Sequence, residues 1–584
     1  MKNLNAGGPV SSVKGFEARI LSALRGLERH GFSKRLWAKD PCLWKDTDEA
    51  ADIIKRSLGW LMLPAYMQQH AQEIEAFALE IKESGIDKVI LLGMGGSSLA
   101  PLVLTSSIRR KKGYPRLIVL DSTDPEAIRQ VLGSMDPEKT LFIVSSKSGS
   151  TIEPASLFSF FYEAVKAGNK GNPGGHFIAI TDSGTVLESI ARQRGFRRIF
   201  INPSDIGGRF SALSFFGLVP AALSGIDVSR LLFHALRLLV GAHPFLPEHD
   251  NPSVTLGAAL GALAAAGRDK LTFLLTKETR SFGLWLEQLI AESTGKEAKG
   301  IIPVVLEPAL KPDEYSDDRV FAYIGLGGPS QSVKTRLNAL IKAGHPVFTF
   351  YLNDIYELGG EFLRWEIATA AAGGVLGINP FDQPDVEIAK ALARDTLKGN
   401  GGRQRAVPAG QTIEAAGFLS AYFSGRAPSG ESAGGKPALS RALEGFFGIA
   451  ERGDYIAILS YYNPFDRAIE RELKRLVNGL RQKTTAAITF GYGPRYLHST
   501  GQLHKGGRNN GVFLMLAHKT GDDIGVPETS FGFSGLELSQ AMGDMQALSS
   551  RQRRACLLVI DDPSAGSLKR AVSLALNAIK KTIP

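Results

Sequence analysis

The sequence predicts an α/β protein with two doubly wound domains of mostly parallel sheet, followed by a C-terminal α/β region. From Lys88 onward, short apolar runs typical of buried strands alternate with segments that carry apolar residues at helical spacing. The alternation begins again near Leu271, and a third time after a segment rich in Gly, Ser and Pro. A chain of 584 residues is also too long for one core.

The N-terminal segment, residues 1–84, is predicted to be mostly helical. Phe16–Arg29 and Asp48–Leu63 show helix-spaced apolar positions. We expect the three tryptophans of this segment to take part in packing rather than to form a ligand cage; they are Trp37, Trp44 and Trp60.

The first α/β domain is assigned to residues 85–265 and the second to residues 266–400. Strand candidates in the first are Val89–Leu92, Leu117–Leu120, Leu141–Val144, Phe177–Ile180 and Arg198–Ile201. Those in the second are Leu271–Leu275, Ile302–Leu306, Val320–Ile324 and Val347–Tyr351. Helices are predicted between them, including Glu153–Ala167, Phe282–Ser293, Val333–Ala343, Glu361–Ala372 and Val386–Lys398.

The last third of the chain is predicted as a linker or mobile loop over residues 401–440 and a C-terminal α/β domain over residues 441–584. The linker assignment depends on S-G-R-A-P-S-G-E-S-A-G-G-K-P, a composition that disfavours regular structure. Strand candidates beyond it are Tyr455–Tyr461, Thr485–Phe490, Val512–Ala517 and Cys556–Ile560.

Composition narrows the class of protein and its surroundings. The net charge of +10 is mild for this length and suits small anionic substrates without calling for nucleic acid. Two cysteines argue against a disulfide framework and favour the cytoplasm. The first residues lack the apolar core of a signal peptide, and the longest weakly polar runs fall short of the roughly 20 residues of a membrane span.

One stretch, Phe142–Glu153, points to an anion site. A buried strand ends in a cluster of hydroxyls with one lysine and one glycine, and a helix follows. Helix N-termini offer unpaired backbone N–H groups and a favourable dipole to a phosphate. Helix capping is the alternative interpretation, but one cap needs one hydroxyl and this loop carries five within seven residues.

A second glycine loop, G-M-G-G-S-S-L at 93–99, follows the first strand. It resembles a dinucleotide-binding loop, and Asp121 ends the next strand. The third glycine position is Ser98, however, and the spacing to Asp121 is long. Two glycine- and serine-bearing strand ends in one sheet favour a phosphate pocket, which leaves a nicotinamide site as the alternative.

Two further stretches bear charged groups suited to catalysis. Arg209 follows two glycines, which permits a close approach to a ligand, although a surface loop is the alternative. Glu292 ends the apolar helix W-L-E-Q-L-I-A-E and is a candidate general base, or else an ordinary helix-end residue.

These motifs occur together in a recognisable order. G-M-G-G-S-S, V-S-S-K-S-G-S-T, G-G-R-F-S-A-L-S, E-S-T-G-K and N-P-F-D-Q-P-D-V-E-I-A-K follow one another between residues 88 and 390. In this order they resemble the glucose-6-phosphate isomerases, whose two sugar-isomerase (SIS) domains are flavodoxin-like with mostly parallel sheets. R-L-W-A-K-D-P-C-L-W and R-Y-L-H-S-T-G-Q-L-H-K-G-G are similar to the isomerase half of bifunctional transaldolase/glucose-6-phosphate isomerase proteins.

The resemblance covers nearly the whole chain and implies a function. It implies an aldose–ketose isomerase of glycolysis and gluconeogenesis that interconverts glucose 6-phosphate and fructose 6-phosphate through an enediol. We expect no metal or organic cofactor, no nucleic-acid or membrane partner, and a cytoplasmic homodimer or monomer. Since residues before Lys88 leave no room for a transaldolase barrel, no transaldolase activity is expected.

The resemblance also implies roles for individual residues. Glu292 matches the base, Arg209 the group that stabilises the enediolate, and Lys390 a lysine near the ring oxygen. Substrate-binding roles fall on Gly96, Ser97, Ser146, Lys147, Ser148, Thr151, Gln288 and Gln383.

One position departs from the family pattern. The family has a ring-opening histidine before N-P-F-D-Q-P, and here Glu357 occupies its place, with Glu361 as the alternative register. Either the glutamate transfers the proton or another group does. His498 and His504, in the polar run H-S-T-G-Q-L-H-K-G-G, are candidates if the third region closes over the isomerase cleft; a polar loop that caps a neighbouring domain is the alternative.

Three other functions stay open at this point. A sugar-phosphate-binding regulator built on SIS domains would need no base, which the joint presence of Glu292, Arg209 and Lys390 argues against. A nicotinamide oxidoreductase does not explain the hydroxyl loop at Ser146. Mannose 6-phosphate or an amino-sugar phosphate could replace or join glucose as the isomerase substrate, but no amidotransferase domain for amino-sugar synthesis is evident.

Overall fold

The structure, a computed structural model, describes residues 10–168, 171–386, 392, 412–415, 417–424 and 438–579. The chain divides into two compact units. The first comprises Met1–Asp121, Met135–Pro303 and Asp317–Asp382, and the second comprises Ser122–Ser134, Val304–Ser316 and Gln383–Pro584. Within the described ranges, no helix is both long and apolar enough to cross a bilayer.

The strands and helices alternate along most of the chain. The strands are β1 Val10–Ser12, β2 Lys88–Gly93, β3 Arg116–Leu120, β4 Thr140–Ser145, β5 Phe177–Asp182, β6 Arg198–Asn202, β7 Lys270–Leu275, β8 Ile302–Val304, β9 Arg319–Leu326, β10 Val347–Leu352, β11 Thr412–Ala415, β12 Leu419–Phe423, β13 Tyr455–Ser460, β14 Ala487–Tyr492, β15 Gly511–His518 and β16 Arg554–Ile560. The helices are α1 Glu17–Arg29, α2 Phe32–Trp37, α3 Asp48–Lys55, α4 Leu63–Glu83, α5 Leu99–Ser107, α6 Pro125–Ser134, α7 Ile152–Gly168, α8 Val186–Gln193, α9 Phe215–Leu223, α10 Val228–Val240, α11 Pro252–Ala265, α12 Phe282–Thr294, α13 Gln331–Lys342, α14 Leu358–Leu376, α15 Ala438–Gly448, α16 Arg467–Arg481, α17 Gly501–Gly506, α18 Phe533–Ser550 and α19 Ala565–Ala578.

The first sheet of the first unit has the order β3-β2-β4-β5-β6, and all its pairs are parallel. Its central strand β4 reads T-L-F-I-V-S, and every residue of it is buried, as expected for a parallel strand covered on both faces. The order of the strands reverses between β2 and β4. In open α/β sheets, the carboxyl ends at such a point form the ligand-binding crevice.

The second sheet of the first unit has the order β1-β10-β9-β7-β8. Strands β7, β9 and β10 are parallel, whereas the short β1 adds to the edge in the antiparallel direction. The sequence did not predict β1, since three residues are too few to show a period. With two mostly parallel sheets, the predicted α/β fold is confirmed.

The predicted helix Asp48–Leu63 is wrong as one element. Helix α3 ends at Lys55, a 3₁₀ turn spans Gly59–Met62, and α4 begins at Leu63 with a proline in its first turn. The backbone N–H of Gly59 donates to the carbonyl of Asp205, 2.8 Å away, and is therefore lost to a continuous helix. A tertiary contact thus interrupts the periodic pattern.

The sheet of the second unit has the order β11-β12-β16-β15-β13-β14. Its four strands β13 to β16 are parallel where they pair, and β12 joins them antiparallel to β16. The predicted linker over residues 401–440 contains β11 and β12, so the part 412–415 and 419–423 is regular structure. The helix predicted at Val386–Lys398 lies almost wholly outside the described residues.

Candidate active site

The two loops that the sequence singled out lie side by side at the carboxyl ends of β2 and β4. Gly93 and Ser145 pair in register, and the Ser145 hydroxyl donates to the Ser97 carbonyl, 3.1 Å away. A Cβ built on Gly96 would lie 2.0 Å from the Gly208 carbonyl oxygen, so only glycine fits where this loop meets the Arg209 loop. The crevice therefore joins three of the predicted motifs.

The hydroxyl loop between β4 and α7 presents donors of different exposure. Ser146 is buried and its hydroxyl donates to Thr151 Oγ1 at 3.3 Å, while Ser148 is exposed and its Oγ accepts from the Ser150 backbone N–H at 3.3 Å. Gly149 has φ +66°, the left-handed conformation that turns the chain into α7. The loop combines these hydroxyls with the N-terminal turn of a 17-residue helix, which is an anion-binding arrangement.

Lys147 lies on the other side of this loop. Its Nζ donates to Asp182 Oδ2 at 2.5 Å and to the Ser204 carbonyl at 3.2 Å. Burial raises the pKa of the Asp182 carboxyl, although the hydrogen bond from Lys147 opposes that shift. Lys147 is therefore anchored beside the loop by an acidic partner.

Glu292 lies at the C-terminal end of α12 and contacts two other predicted site residues, one catalytic and one substrate-binding. Gln288, one helical turn earlier, donates from Nε2 to Glu292 Oε2 at 3.3 Å. Arg209 Nη1 lies 3.3 Å from Glu292 Oε1. The structure thus brings together the predicted base, the predicted cation and the predicted substrate-binding glutamine.

Arg209 is almost fully buried, and further groups hold it besides Glu292. Its Nε donates to Ser293 Oγ at 2.8 Å, and its Nη2 donates to the carbonyls of Pro380 at 2.6 Å and Asp382 at 2.9 Å. Burial lowers the pKa of Arg209, and the carboxylates of Glu292 and Asp382 oppose that shift. The guanidinium is fixed in direction by these contacts, which a flexible surface arginine would not be.

Lys296 is a site residue to which the sequence assigned no role. It is buried, its Nζ lies 2.7 Å from Asp382 Oδ1, and it donates to the Asn379 carbonyl at 2.5 Å. Burial lowers its pKa to about 7, the positive charge of Arg209 acts in the same direction, and Asp382 pulls in the opposite direction. Burial dominates this shift of the Lys296 pKa because the ammonium is wholly enclosed.

Aromatic rings support the loop that Arg209 and Lys296 hold. Phe381 lies between Phe210, at 5.3 Å, and Trp44, at 5.0 Å between ring centroids. Phe210 stacks in turn on Trp60 at 5.2 Å. Trp44 and Trp60 are buried, so the prediction that they pack is confirmed, and the rings they contact flank the site.

The remaining predicted residues lie in several places. Gln383 directly follows Asp382 and is exposed, and Lys390 lies outside the described residues. Glu357 is half-buried just before α14, where its Oε2 accepts from the Asn353 backbone N–H at 3.1 Å. Its alternative, Glu361, is buried within α14 and pairs with Arg364 at 2.9 Å.

The two histidine candidates belong to the second unit. His498 is half-buried at the end of a short 3₁₀ helix. His504 in α17 is 2% exposed and lies among Tyr455, Tyr496 and Phe513. Burial, with Lys505 and Arg553 nearby, lowers the pKa of His504 well below its usual value.

The alternative nicotinamide site is not favoured by the geometry at Asp121. This carboxylate is buried, and its Oδ2 accepts a hydrogen bond from the Ser98 hydroxyl of the glycine loop at 3.2 Å. A dinucleotide site uses the equivalent carboxylate to hold a ribose. Here the carboxylate already accepts a hydrogen bond from the glycine loop.

Comparisons with known proteins agree with this geometry. A family model described as phosphoglucose isomerase matches residues 62–299. The glucose-6-phosphate isomerase of Rubrobacter xylanophilus is 30% identical over 422 residues, which cover 64% of this chain and 94% of that protein. A glucose-6-phosphate isomerase of Thermus thermophilus is 29% identical over 389 residues, covering 59% of this chain and 90% of that protein.

A solved structure is similar in fold. The crystal structure of a hypothetical protein from Thermus thermophilus matches with a TM-score of 0.56 and 26% identity, covering 67% of this chain and 99% of that one. Sequence motifs, site geometry and relatives thus lead to one conclusion. The chain belongs to the glucose-6-phosphate isomerase family.

Proposed function

We propose that this protein interconverts glucose 6-phosphate and fructose 6-phosphate. The observation that carries the proposal is the contact of Glu292 with Arg209 and Gln288 beside the crevice at the ends of β2 and β4. Binding a phosphosugar requires no carboxylate fixed next to a buried guanidinium. A base beside a fixed cation is what proton transfer next to a carbonyl requires.

The hydroxyl loop would hold the phosphate group. Ser146, Ser148 and Thr151 offer hydroxyl donors, and the first turn of α7 adds backbone N–H groups and its dipole. Ser97 and Gly96 border the same crevice. The energy of binding this remote group would orient the sugar's C1–C2 end for reaction.

Glu292 would then move the proton. In the open-chain aldose it removes the proton from C2, which leaves a negatively charged enediolate, and returns the proton to C1. Over the two steps one hydroxyl proton passes from O2 to O1, which gives the ketose. Arg209 would stabilise the negative charge that develops on oxygen in between. Because Arg209 is held by Ser293 and two carbonyls, little reorganisation is needed as that charge forms.

The group that opens the sugar ring is a separate proposal. Glu357, at the position of the family's histidine, is the first candidate, with Lys390 near the ring oxygen. His498 and His504 are the others; His498 is the more accessible because His504 is enclosed by aromatic rings. Replacing each in turn and comparing rates on cyclic and open-chain substrate would separate ring opening from isomerisation.

The chemistry needs no metal or organic cofactor, because the acidity of a carbon next to a carbonyl suffices. We further propose a cytoplasmic protein, since the relatives are named for a glycolytic reaction and the two cysteines are free. A homodimer and a monomer are both compatible with a site formed by one chain, and light scattering would distinguish them.

The test is a coupled assay of fructose 6-phosphate conversion with the Glu292→Gln variant. Removing a general base is expected to lower kcat by about 10²- to 10⁴-fold. Glu297→Gln is the matched control, because this glutamate lies near the same helix end but is exposed. A Glu292→Gln enzyme of wild-type rate would exclude the mechanism, and wild-type protein that binds the sugar phosphate without converting it would favour the regulator instead.

A further inference from the structure

A second cluster of reactive side chains lies in the second unit, outside the residues discussed so far. Asp124 precedes α6, His518 ends β15, and Glu537 lies on α18. His518 Nε2 is 2.8 Å from Asp124 Oδ2 and 3.9 Å from Glu537 Oε2, and one potential ligand atom from each residue lies within 4.8 Å of the others. All three are at least nine-tenths buried, with exposures of 1%, 4% and 3%.

The contacts around His518 leave its Nε2 facing two carboxylates. Its Nδ1 lies 3.3 Å from the Lys519 carbonyl, so the tautomer with its proton on Nδ1 has an acceptor for that proton and offers the Nε2 lone pair to a cation. The other oxygen of Asp124, Oδ1, accepts from the Ala127 backbone N–H at 2.8 Å, which turns Oδ2 towards the histidine. Two acceptor atoms 2.8 Å apart repel unless a proton or a metal cation lies between them.

The cluster also contains polar atoms without partners. Among the described residues, Glu537 Oε1 is buried and has no hydrogen-bond partner, and neither has the hydroxyl of Tyr462, whose ring lies 4.7 Å from that of His518. Buried polar groups are nearly always paired, since leaving one unpaired costs about 1–3 kcal/mol. A buried carboxylate oxygen of this kind beside the His518 imidazole suits a cation bound at this point.

A cleft gives access to the cluster. It has a volume of about 400 Å³ and is lined by residues that include Asp124, Gln130, Tyr462 and Asn463. Asp124 therefore belongs both to the buried cluster and to the wall of the cleft. An ion that entered from solvent would meet its first ligand there.

We propose that Asp124, His518 and Glu537 bind one divalent transition-metal ion of the Zn²⁺ or Mn²⁺ type. An imidazole with two carboxylates suits these ions, whereas Mg²⁺ and Ca²⁺ prefer oxygen ligands alone. The ion's two positive charges balance the two carboxylates, and small rotations would bring Glu537 to bonding distance. Since Asp124 and His518 are 394 residues apart in sequence, the ion would fasten the segment 122–134 to the C-terminal sheet.

The test measures metal binding by the full chain. Protein stripped with a chelator is titrated with Zn²⁺, Mn²⁺ and Mg²⁺, with calorimetry for stoichiometry and thermal unfolding for stabilisation. One equivalent of Zn²⁺ is expected to bind, more tightly than Mn²⁺, with Mg²⁺ weakest, and the melting temperature is expected to rise. His518→Gln and Glu537→Gln are expected to weaken binding by about 100-fold or more.

His243→Gln is the matched control, because it removes an exposed imidazole elsewhere and should leave binding unchanged. If His518→Gln fails to fold, the Glu537→Gln variant decides, because it keeps the side-chain volume. The visible absorption of Co²⁺ bound to wild-type protein gives a second measurement. Binding that is absent from wild type, or equal to wild type in both ligand variants, would overturn the proposal and leave His518 hydrogen-bonded to Asp124 alone.

Discussion

Two buried cations hold the same loop of the candidate active site. Arg209 donates to the carbonyls of Pro380 and Asp382, and Lys296 contacts the Asn379 carbonyl and the Asp382 carboxylate. Both cations lie near Glu292, so positive charge is concentrated beside the proposed base. Placing two cations together in a buried site costs desolvation, which Asp382 and the carbonyls offset only partly.

Lys296 makes stability depend on pH in a direction that can be calculated. Its pKa falls from 10.5 to about 7 on folding, so between these values the unfolded chain binds one more proton than the folded chain. Stability relative to a Lys296→Met variant should therefore rise with pH, by about 1.4 kcal/mol per unit between pH 7 and 10. Urea unfolding of both proteins at several pH values measures this difference.

Lys334→Met is the control, since this lysine is exposed on α13. The variant's free energy of unfolding should depend on pH in parallel with that of wild type. Below pH 7 both the folded and the unfolded chain carry the proton on Lys296, so the difference should become constant there. If wild type and Lys296→Met keep the same separation from pH 7 to 10, Lys296 stays charged in the folded state and its pair with Asp382 outweighs burial.

At the candidate site, the sequence points to residues that lie in motifs and misses those whose importance depends on a distant contact. Arg209 behind two glycines and Glu292 at a helix end were both identified, and they meet at 3.3 Å. Lys296 lies in the motif E-S-T-G-K, but the sequence gives it no role, because its partners Asn379 and Asp382 are more than 80 residues away. No local pattern indicates that a lysine will be enclosed.

At the scale of elements, the hydroxyl loop is the part that should determine affinity for phosphate. Ser146→Ala and Thr151→Val each remove one donor with little change in side-chain size. Hydrogen bonds to a charged group contribute about 1.5–3 kcal/mol, so each change should raise KM by roughly tenfold or more. The inhibition constant of inorganic phosphate as a competitor should rise in parallel.

Ser189→Ala on α8 is the control for this loop, since its hydroxyl is exposed and donates to a helix carbonyl. A loss of kcat without a change in KM or in phosphate inhibition would contradict the assignment. Such a result would place Ser146 and Thr151 with the reacting carbons rather than with the phosphate.

Helices and strands were predictable where they are long enough for their hydrophobic period to repeat. The central strands, such as β4, and the long helices, such as α12, coincide with their predictions. Strands β1 and β11 have three and four residues, too few for an alternation to show. The interrupted helix at Gly59 shows the limit set by tertiary contacts, since Asp205 supplies the competing hydrogen-bond acceptor.

At the scale of the molecule, each unit carries its own reporter groups. All five tryptophans lie in the first unit, whereas the second unit has a core of its own that contains the fully buried Cys556. Burial raises the pKa of this thiol, which also suppresses its reactivity. Tryptophan fluorescence therefore follows the first unit, and labelling of Cys556 follows the second.

A buried ion pair connects the segment Val304–Ser316 to the rest of the second unit. Glu307 accepts from the Ile488 backbone N–H at 3.0 Å and pairs with Arg481 at 3.2 Å, and both side chains are at most 2% exposed. Glu307→Ala would leave Arg481 as a buried cation without this carboxylate, at a cost of about 3–5 kcal/mol. In this variant, Cys556 should therefore react with a thiol-labelling reagent much faster in mild denaturant. The unfolding transition followed by tryptophan fluorescence should stay close to that of wild type.

The measurement is best made in a Cys42→Ser background, because Cys42 is exposed and would react first. Glu472→Ala is the comparison, since Glu472 lies in α16 with Arg481 but pairs with the partly exposed Arg475. A surface-type pair of this kind contributes about 0–1 kcal/mol, so labelling should change little. Equal shifts of the labelling and fluorescence transitions in Glu307→Ala would mean that the two units unfold as one cooperative structure.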